Sequence, residues 1–361
     1  MKVGVLGAGQ LGRMLALAGM PLGHTFSFYD TAESPCTQSL GPTTVGRFDD
    51  EKALAAFAAT CDVVTYEFEN VPCNAAHAIN SKLPVYPPPR ALEVSQDRVV
   101  EKEFLQSLDI PTPNFRAASS EAELLDAVSA VGTPCVVKTR RLGYDGKGQA
   151  RVASPDDARR AWRELGGVPL IVEAFVPFTR ELSVIGVRGQ DGKTKTYPLS
   201  FNIHRAGILH RSEIPAPGIT PELSREAHQI AAKVLNELQY VGVLAIELFE
   251  VGGKLLANEM APRVHNSGHA TIDGSVTSQF ENHVRAITGM ELGSVVSRCP
   301  AVMYNTIGTL PDLTRVETLQ NAKIHLYGKE PRPGRKLGHI TLVSPSPDDD
   351  KALESLIRGA A

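Results

Sequence analysis

The proline run Pro84-Val85-Tyr86-Pro87-Pro88-Pro89 constrains this chain more than any other feature. Proline fixes φ and donates no backbone hydrogen bond, so neither a helix interior nor a central strand continues through it. Ahead of it the pattern alternates. Lys2 to Leu6 reads as a short buried strand, Gly7-Ala8-Gly9-Gln10-Leu11-Gly12 as a turn, and Leu11, Met14, Leu15 and Ala18 as the apolar face of a helix. Thr25 to Tyr29 makes a second strand ending at Asp30, Glu51 to Thr60 a helix, and Asp62 to Tyr66 a further strand. Such alternation implies a parallel sheet covered on both faces. The prolines stop it at the size of one mononucleotide-binding half, which places a domain boundary between Pro87 and Gln96.

Beyond the boundary, Val99 to Leu108 reads as a helix ended by Pro111 and Pro113. Cys135 to Lys138 reads as a strand entering the glycine-rich loop Gly143-Tyr144-Asp145-Gly146-Lys147-Gly148, with Gln149 to Val152 as its return strand. Ser154 followed by Pro155, Asp156 and Asp157 predicts a capped helix start. Leu170 to Glu173 is another strand, Leu223 to Leu238 a long amphipathic helix, and Val243 to Glu250 with Leu255 to Met260 a hairpin across Gly252-Gly253. From about Pro300 the chain is β-rich and closes with a helix over Asp348 to Arg358.

The charge balance narrows the class of protein. Lys and Arg number 37 against 40 Asp and Glu in 361 residues, a net charge of −3. That leaves neither the basic footprint of a nucleic-acid binder nor an acidic tail. No apolar stretch approaches the roughly 18 residues that cross a bilayer, and Met1 leads directly into a strand with no signal-peptide pattern. The five cysteines are odd in number and include no Cys-x-x-Cys pair, which predicts free thiols in a reducing cytoplasm.

Five clusters carry chemistry. The first glycine motif, followed by Asp30, fits a dinucleotide fingerprint, another ligand at a helix N-terminus, or a purely structural turn. The second loop places Lys138 before it and Lys147 inside it, the parts of a phosphate clamp, and because no Walker sequence is present the reading is a strand-loop-strand flap. The third is the hairpin. A three-residue loop with a bulge would set Glu247 opposite Glu259, and the repulsion of two facing carboxylates would be relieved by a divalent cation such as magnesium. With a two-residue turn, Glu247 would face Asn258 and the acids would point to opposite faces. Arg263, His265 and His269 follow in a polar loop suited to anions, and Lys329, Arg332, Arg335 and Lys336 cluster around two prolines and a glycine.

In this order the elements resemble the ATP-grasp ligases. Within them Gly9-Gln10-Leu11-Gly12-Arg13-Met14, Gly143 to Gln149, Asn258 to His269 and Arg332 to His339 resemble the 5-(carboxyamino)imidazole ribonucleotide synthases over essentially the whole chain. The resemblance implies an α/β ATP-grasp fold with three parts. These are a Rossmann-like pre-ATP-grasp domain over 1–96, an ATP-grasp domain over 97–296 and a small β-rich domain over 297–361. It implies ATP as co-substrate, held by Arg98, Lys138, Gly143, Tyr144, Asp145, Gly146, Lys147, Gly148, Gln149, the strand Glu173-Ala174-Phe175-Val176, Glu181, His204, Asn258 and Glu259. Magnesium would sit on Glu247 and Glu259. Tyr144, Asp145, Lys147, Arg263 and His265 would surround bicarbonate and the carboxyphosphate made from it, with Lys336 counted among the catalytic residues. Aminoimidazole ribonucleotide would lie against Gln10 and Leu11, with Glu67 or Glu69 near its ribose and Lys329, Arg335 and Lys336 near its phosphate. The resemblance also implies a cytoplasmic homodimer without nucleic-acid or membrane partners. Lys147 departs from it, standing where many relatives carry arginine.

Rival readings follow from single features. A formate-dependent glycinamide ribonucleotide transformylase shares the framework, an NAD(P)-dependent oxidoreductase would rest on Gly7 to Gly12 and Asp30, and a nucleotide sensor would bind ATP without turnover.

Overall fold

The computed structural model describes residues 1–143 and 146–360. Its first sheet is built from β1 (Lys2–Leu6), β2 (Thr25–Asp30), β3 (Thr43–Val45) and β4 (Val63–Tyr66), all parallel in the order β3-β2-β1-β4. Helices α1 (Gln10–Gly19), α2 (Glu51–Ala58) and α3 (Cys73–Asn80) cover it, as the alternating pattern requires. The proline run does not leave this unit. Val85 bridges to Val64 in parallel, Tyr86 N–H donates to the Val64 carbonyl at 2.8 Å, and Pro89 occupies the first turn of α4 (Pro89–Ser95), where a missing N–H costs nothing.

Helix α5 (Arg98–Ser107) then leads through β5 (Phe115–Ala118) and α6 (Glu121–Val131) into β6 (Cys135–Thr139), β7 (Gln149–Val152), α7 (Pro155–Glu164) and β8 (Leu170–Ala174). These strands form a separate antiparallel sheet, β5-β8-β6-β7, with a core of its own that includes Leu124, Val137, Ala158 and Val172. The serine cap reads as expected, since Ser154 accepts from the Asp157 amide at the start of α7. The glycine loop is a strand-loop-strand flap, with Lys138 paired opposite Gln149.

Strands β9 (Arg180–Arg188), β10 (Thr194–Thr196), β11 (Ser200–Arg205) and β12 (Ile208–Ile214) precede α8 (Pro221–Glu237), β13 (Gly242–Val251) and β14 (Lys254–Ala261). After α9 (Thr271–Gly274) and α10 (Gln279–Ile287) come β15 (Ala301–Ile307), α11 (Leu313–Glu317), β16 (Ala322–Leu326), β17 (Lys336–Val343) and α12 (Pro347–Ala360). Their strands make one sheet in the order β14-β13-β9-β11-β12-β15-β17-β16, with β10 beside β9. The C-terminal strands thus extend the preceding sheet across the β12–β15 pair. Period-two alternation along β15 sends Ala301 and Met303 into the core shared with β1 and α1, and Val302 and Tyr304 into the core beneath α12.

Candidate active site

A cavity of about 1040 Å³ opens where the three sheets meet. The first glycine turn reaches its edge with Gln10 and Leu11, while the amides of Ala8, Gly9 and Gly12 are held by internal acids. Glu67 is buried at the end of β4 and accepts from the Gly9 amide and, at 2.7 Å, from the Gly12 amide, while Asp30 accepts from Ala8 N–H at 2.8 Å. Internal carboxylates therefore fill the place at the helix N-terminus where a pyrophosphate would lie. This removes the dinucleotide reading and leaves Gln10 and Leu11 as the part of the turn that reaches the cavity. The glycines serve the acid instead: a Cβ at Gly9 would lie 2.7 Å from Glu67 Oε1.

The hairpin delivers its two acids by a route the spacing did not predict. Gly252 and Gly253 form a two-residue turn with φ of 57° and 76°, and Val251 pairs with Lys254. A bulge at Asn258 then shifts the register, so that Leu248 opposes Ala257 while Glu247 opposes Glu259. The facing carboxylates are present, and the correction concerns the device that aligns them. Burial and the neighbouring Glu259 raise the carboxyl of Glu247. Burial works against charge on Glu259 too, but Arg98, with Nη1 2.6 Å from Oε2, and Lys138 outweigh it and hold that carboxyl low.

Magnesium is the cation these oxygens suit. Glu247 and Glu259 are hard oxygen donors facing each other, and the neighbouring Asn258 Oδ1 is buried without a hydrogen-bond partner among the described residues. No cluster of three or more ionisable metal ligands occurs among the described residues, so nucleotide oxygens and water would complete the shell.

On the facing sheet, Lys138 Nζ lies 2.8 Å from Glu173 Oε2, and the fully buried Lys102 lies 3.5 Å from the other oxygen. Glu173 is thus a buried partner for lysines. The strand expected over Glu173 to Val176 ends at Ala174; the Phe175 amide bonds to the Pro134 carbonyl, and Phe175 and Val176 continue as extended chain along the cavity. Apolar neighbours that the motifs did not reveal, Val136, Phe178 and Phe249, line the cavity as well, with the rings of Phe178 and Phe249 stacked at 4.7 Å. Glu181 hydrogen-bonds His204, and both line the cavity. The flap crosses it through Gly143, Gly146, Lys147 and Gln149, and a Cβ at Gly146 would meet Gly207 Cα at 2.9 Å. Gly148 does not line it, and Tyr144 and Asp145 lie outside the described residues.

At the other end Arg263 donates through Nε to Glu69 at 2.6 Å. Burial, then the charges of Arg263 and Lys336, push the His265 imidazole down to about 3. That ring is neutral near pH 7. Its Nδ1 accepts the Ser267 amide at 3.3 Å, which assigns the proton to Nε2, 3.4 Å from Glu247. Lys336 lines the cavity, whereas Lys329 and Arg335 do not: Lys329 bonds Gln10 at the rim, and Arg335 donates to the Glu330 carbonyl at 3.2 Å.

Comparison with known proteins matches three successive regions of the chain. Residues 1–96 match the ribonucleotide synthetase preATP-grasp domain, 103–280 the ATP-grasp domain and 301–353 the phosphoribosylaminoimidazole carboxylase C-terminal domain. A protein of Pseudomonas aeruginosa called N5-carboxyaminoimidazole ribonucleotide synthase is 48% identical over 342 residues, 95% of this chain and 94% of that one. The chain belongs to the N5-carboxyaminoimidazole ribonucleotide synthase family. The crystal structure of the Thermus thermophilus synthetase of this family superposes with a TM-score of 0.94 at 49% identity, covering 99% of this chain and 98% of that one. The Aspergillus clavatus synthase, crystallised with ADP and 5-aminoimidazole ribonucleotide, gives 0.91 at 33% identity over 99% and 97% of the two chains. Family membership makes the chain an ATP-grasp ligase.

Proposed function

We propose that this protein carboxylates 5-aminoimidazole ribonucleotide with bicarbonate at the expense of ATP, giving N5-carboxyaminoimidazole ribonucleotide, ADP and phosphate in purine biosynthesis. The observation that carries the reading is the placement of facing acids, a lysine-bearing flap and Arg263 around one cavity. The adenine lies against the apolar lining of Val136, Phe175 and Phe249, with its edge on the extended chain from Glu173 to Val176. Glu181 and His204 face the nucleotide's ribose. Lys138, Arg98 and the flap hold the phosphates, while Glu247, Glu259 and the Asn258 side chain are the residues that would hold magnesium. When bound, that ion supplies positive charge to the phosphate oxygens.

Bicarbonate lies beside Arg263 and the neutral His265, where a bicarbonate oxygen attacks the γ-phosphorus and ADP leaves. Tyr144, Asp145 and Lys147 belong with that step. The amine nitrogen of the ribonucleotide then attacks the carboxyl carbon of carboxyphosphate, or carbon dioxide released from it, and phosphate departs. The flap excludes water, which would otherwise consume carboxyphosphate. Gln10, Leu11 and Glu67 or Glu69 seat the ribonucleotide, with Lys336, Lys329 and Arg335 at its phosphate end. A cytoplasmic setting suits the five free cysteines, and no described helix is long and apolar enough to cross a membrane. By its family resemblance the working form is a homodimer, which sedimentation velocity would test.

Phosphate release from ATP tests the activity. It is expected to need both the ribonucleotide and bicarbonate; turnover with formate and glycinamide ribonucleotide in their place would move the protein to the transformylase reading.

A further inference from the structure

Arg98, Glu101 and Lys102 share one face of α5 at i, i+3 and i+4, and each grips a successive residue of β14. Lys102 Nζ donates to the Asn258 carbonyl at 3.0 Å, Arg98 Nη1 to Glu259 Oε2 at 2.6 Å, and the Met260 amide donates to Glu101 Oε1 at 2.6 Å. Asn258 is the bulge residue, the one left without a partner on β13. Glu101 and Lys102 are only 2% and 1% exposed, so water does not replace these bonds if they are lost. Lys102 also faces Glu173, the partner of Lys138, and thus stands between the two sheets that line the cavity. A helix resting on a sheet edge needs none of this charge, since apolar side chains would pack as well.

We propose that Glu101 and Lys102 are positioning residues that hold the bulge of β14 in place, and with it the opposition of Glu259 to Glu247. The proposal rests on the reading that these two glutamates bind the metal. A regular ladder continued from the Gly252-Gly253 turn would put Asn258 opposite Glu247 and turn Glu259 to the far face of the sheet. Along β14 the side chains of α5 supply polar partners on both sides of Glu259, where the strand departs from that ladder.

The test uses Mn²⁺ as the probe ion, counted by electron paramagnetic resonance of the free ion in the presence of ADP, together with amide hydrogen exchange at Met260 without metal or nucleotide. Glu101→Gln keeps an acceptor for the Met260 amide and is expected to bind Mn²⁺ within about twofold of wild type, whereas Glu101→Leu weakens it about tenfold or more. Met260 is expected to exchange about tenfold faster in Glu101→Leu alone. Wild-type Mn²⁺ affinity and unchanged exchange in Glu101→Leu would overturn the proposal. Glu259→Gln separates the two readings: normal Mn²⁺ binding there, with faster Met260 exchange in Glu101→Leu, would sink the metal assignment and leave the clamp. Should Glu101→Leu fail to fold, Lys102→Met decides, with weakened Mn²⁺ and retained ADP expected and wild-type Mn²⁺ binding counting against the clamp.

Discussion

At the scale of the residue, the chemistry of a side chain is easier to read than its partner. Lys138 stands where the strand-and-flap pattern puts a phosphate-binding lysine, yet its amine meets the buried Glu173. Lys138→Ala is therefore expected to weaken ATP binding by about 1.5 to 3 kcal/mol and to lower stability as well, because a buried carboxylate loses one of two cations. Calorimetry of nucleotide binding and urea unfolding would read the two losses, and unchanged affinity beside a lowered midpoint would leave Lys138 as a partner of Glu173 alone. Glu259→Gln should abolish turnover with little change in folding; full activity with ordinary magnesium dependence would remove Glu259 from the metal site. The cationic cluster divides in the same way. Lys336 reaches the cavity and Arg335 turns to the Glu330 carbonyl, so Lys336→Ala should raise KM for the ribonucleotide more than Arg335→Ala, with KM for ATP unchanged in both. Equal effects of the two substitutions would refute that ranking. Spacing placed both cations within one short segment, and only the fold decides which of them turns inward.

Whole elements were legible where burial is one-sided. The helix of Val99 to Leu108 and the strands around the flap carry clear periods, and the structure has them within a residue or two. Strand β9 was not legible, because Leu182 to Val187 are buried without interruption and no alternation survives in a strand covered on both faces. The hairpin is a different case. Its acids were expected on one face from a three-residue loop, whereas a two-residue turn and a bulge produce the same result, and a bulge leaves no mark in hydrophobic spacing. The first glycine turn likewise had its shape legible but not its acid, since Glu67, 55 residues beyond Gly12, cannot be matched to it by pattern. That acid makes the glycines unequal. Gly9→Ala would set a Cβ 2.7 Å from Glu67 Oε1 and should cost about 1 to 3 kcal/mol, whereas at Gly12 the nearest contact is an ordinary 3.4 Å and alanine should be tolerated. Denaturant midpoints of the two variants measure the difference, and equal losses would mean that Glu67 moves freely.

Across the whole molecule, His283 ties the first sheet to the large one. The Val243 amide donates to its Nδ1 at 3.1 Å, and its Nε2 lies 2.9 Å from Thr65 Oγ1. Burial pushes this imidazole from 6.5 down to about 3. Between those values the unfolded chain binds a proton that the folded chain refuses, so the contribution is complete above pH 6.5 and falls away as the pH drops toward 3. From pH 7 to pH 5 that amounts to about 2 kcal/mol, and His283→Gln should lose less stability than wild type over this range by that amount. An identical acid-side loss in both proteins would show that His283 is not the group responsible.

The sheet that runs from β14 to β16 also determines how the molecule can be recombined. Residues 115–174 hold the small sheet entire, with a core drawn only from themselves, and they enter and leave through loops. They are a unit of exchange. The C-terminal segment is not, because β15 lies against β12 and shares its alternate side chains between two cores. Chimeras with related synthases that swap 115–174 should therefore stay soluble, while those joined near residue 300 would have to match a strand edge and two interiors at once. Inheritance of parts in this protein follows the sheets, and the join between successive sequence regions is not where it comes apart.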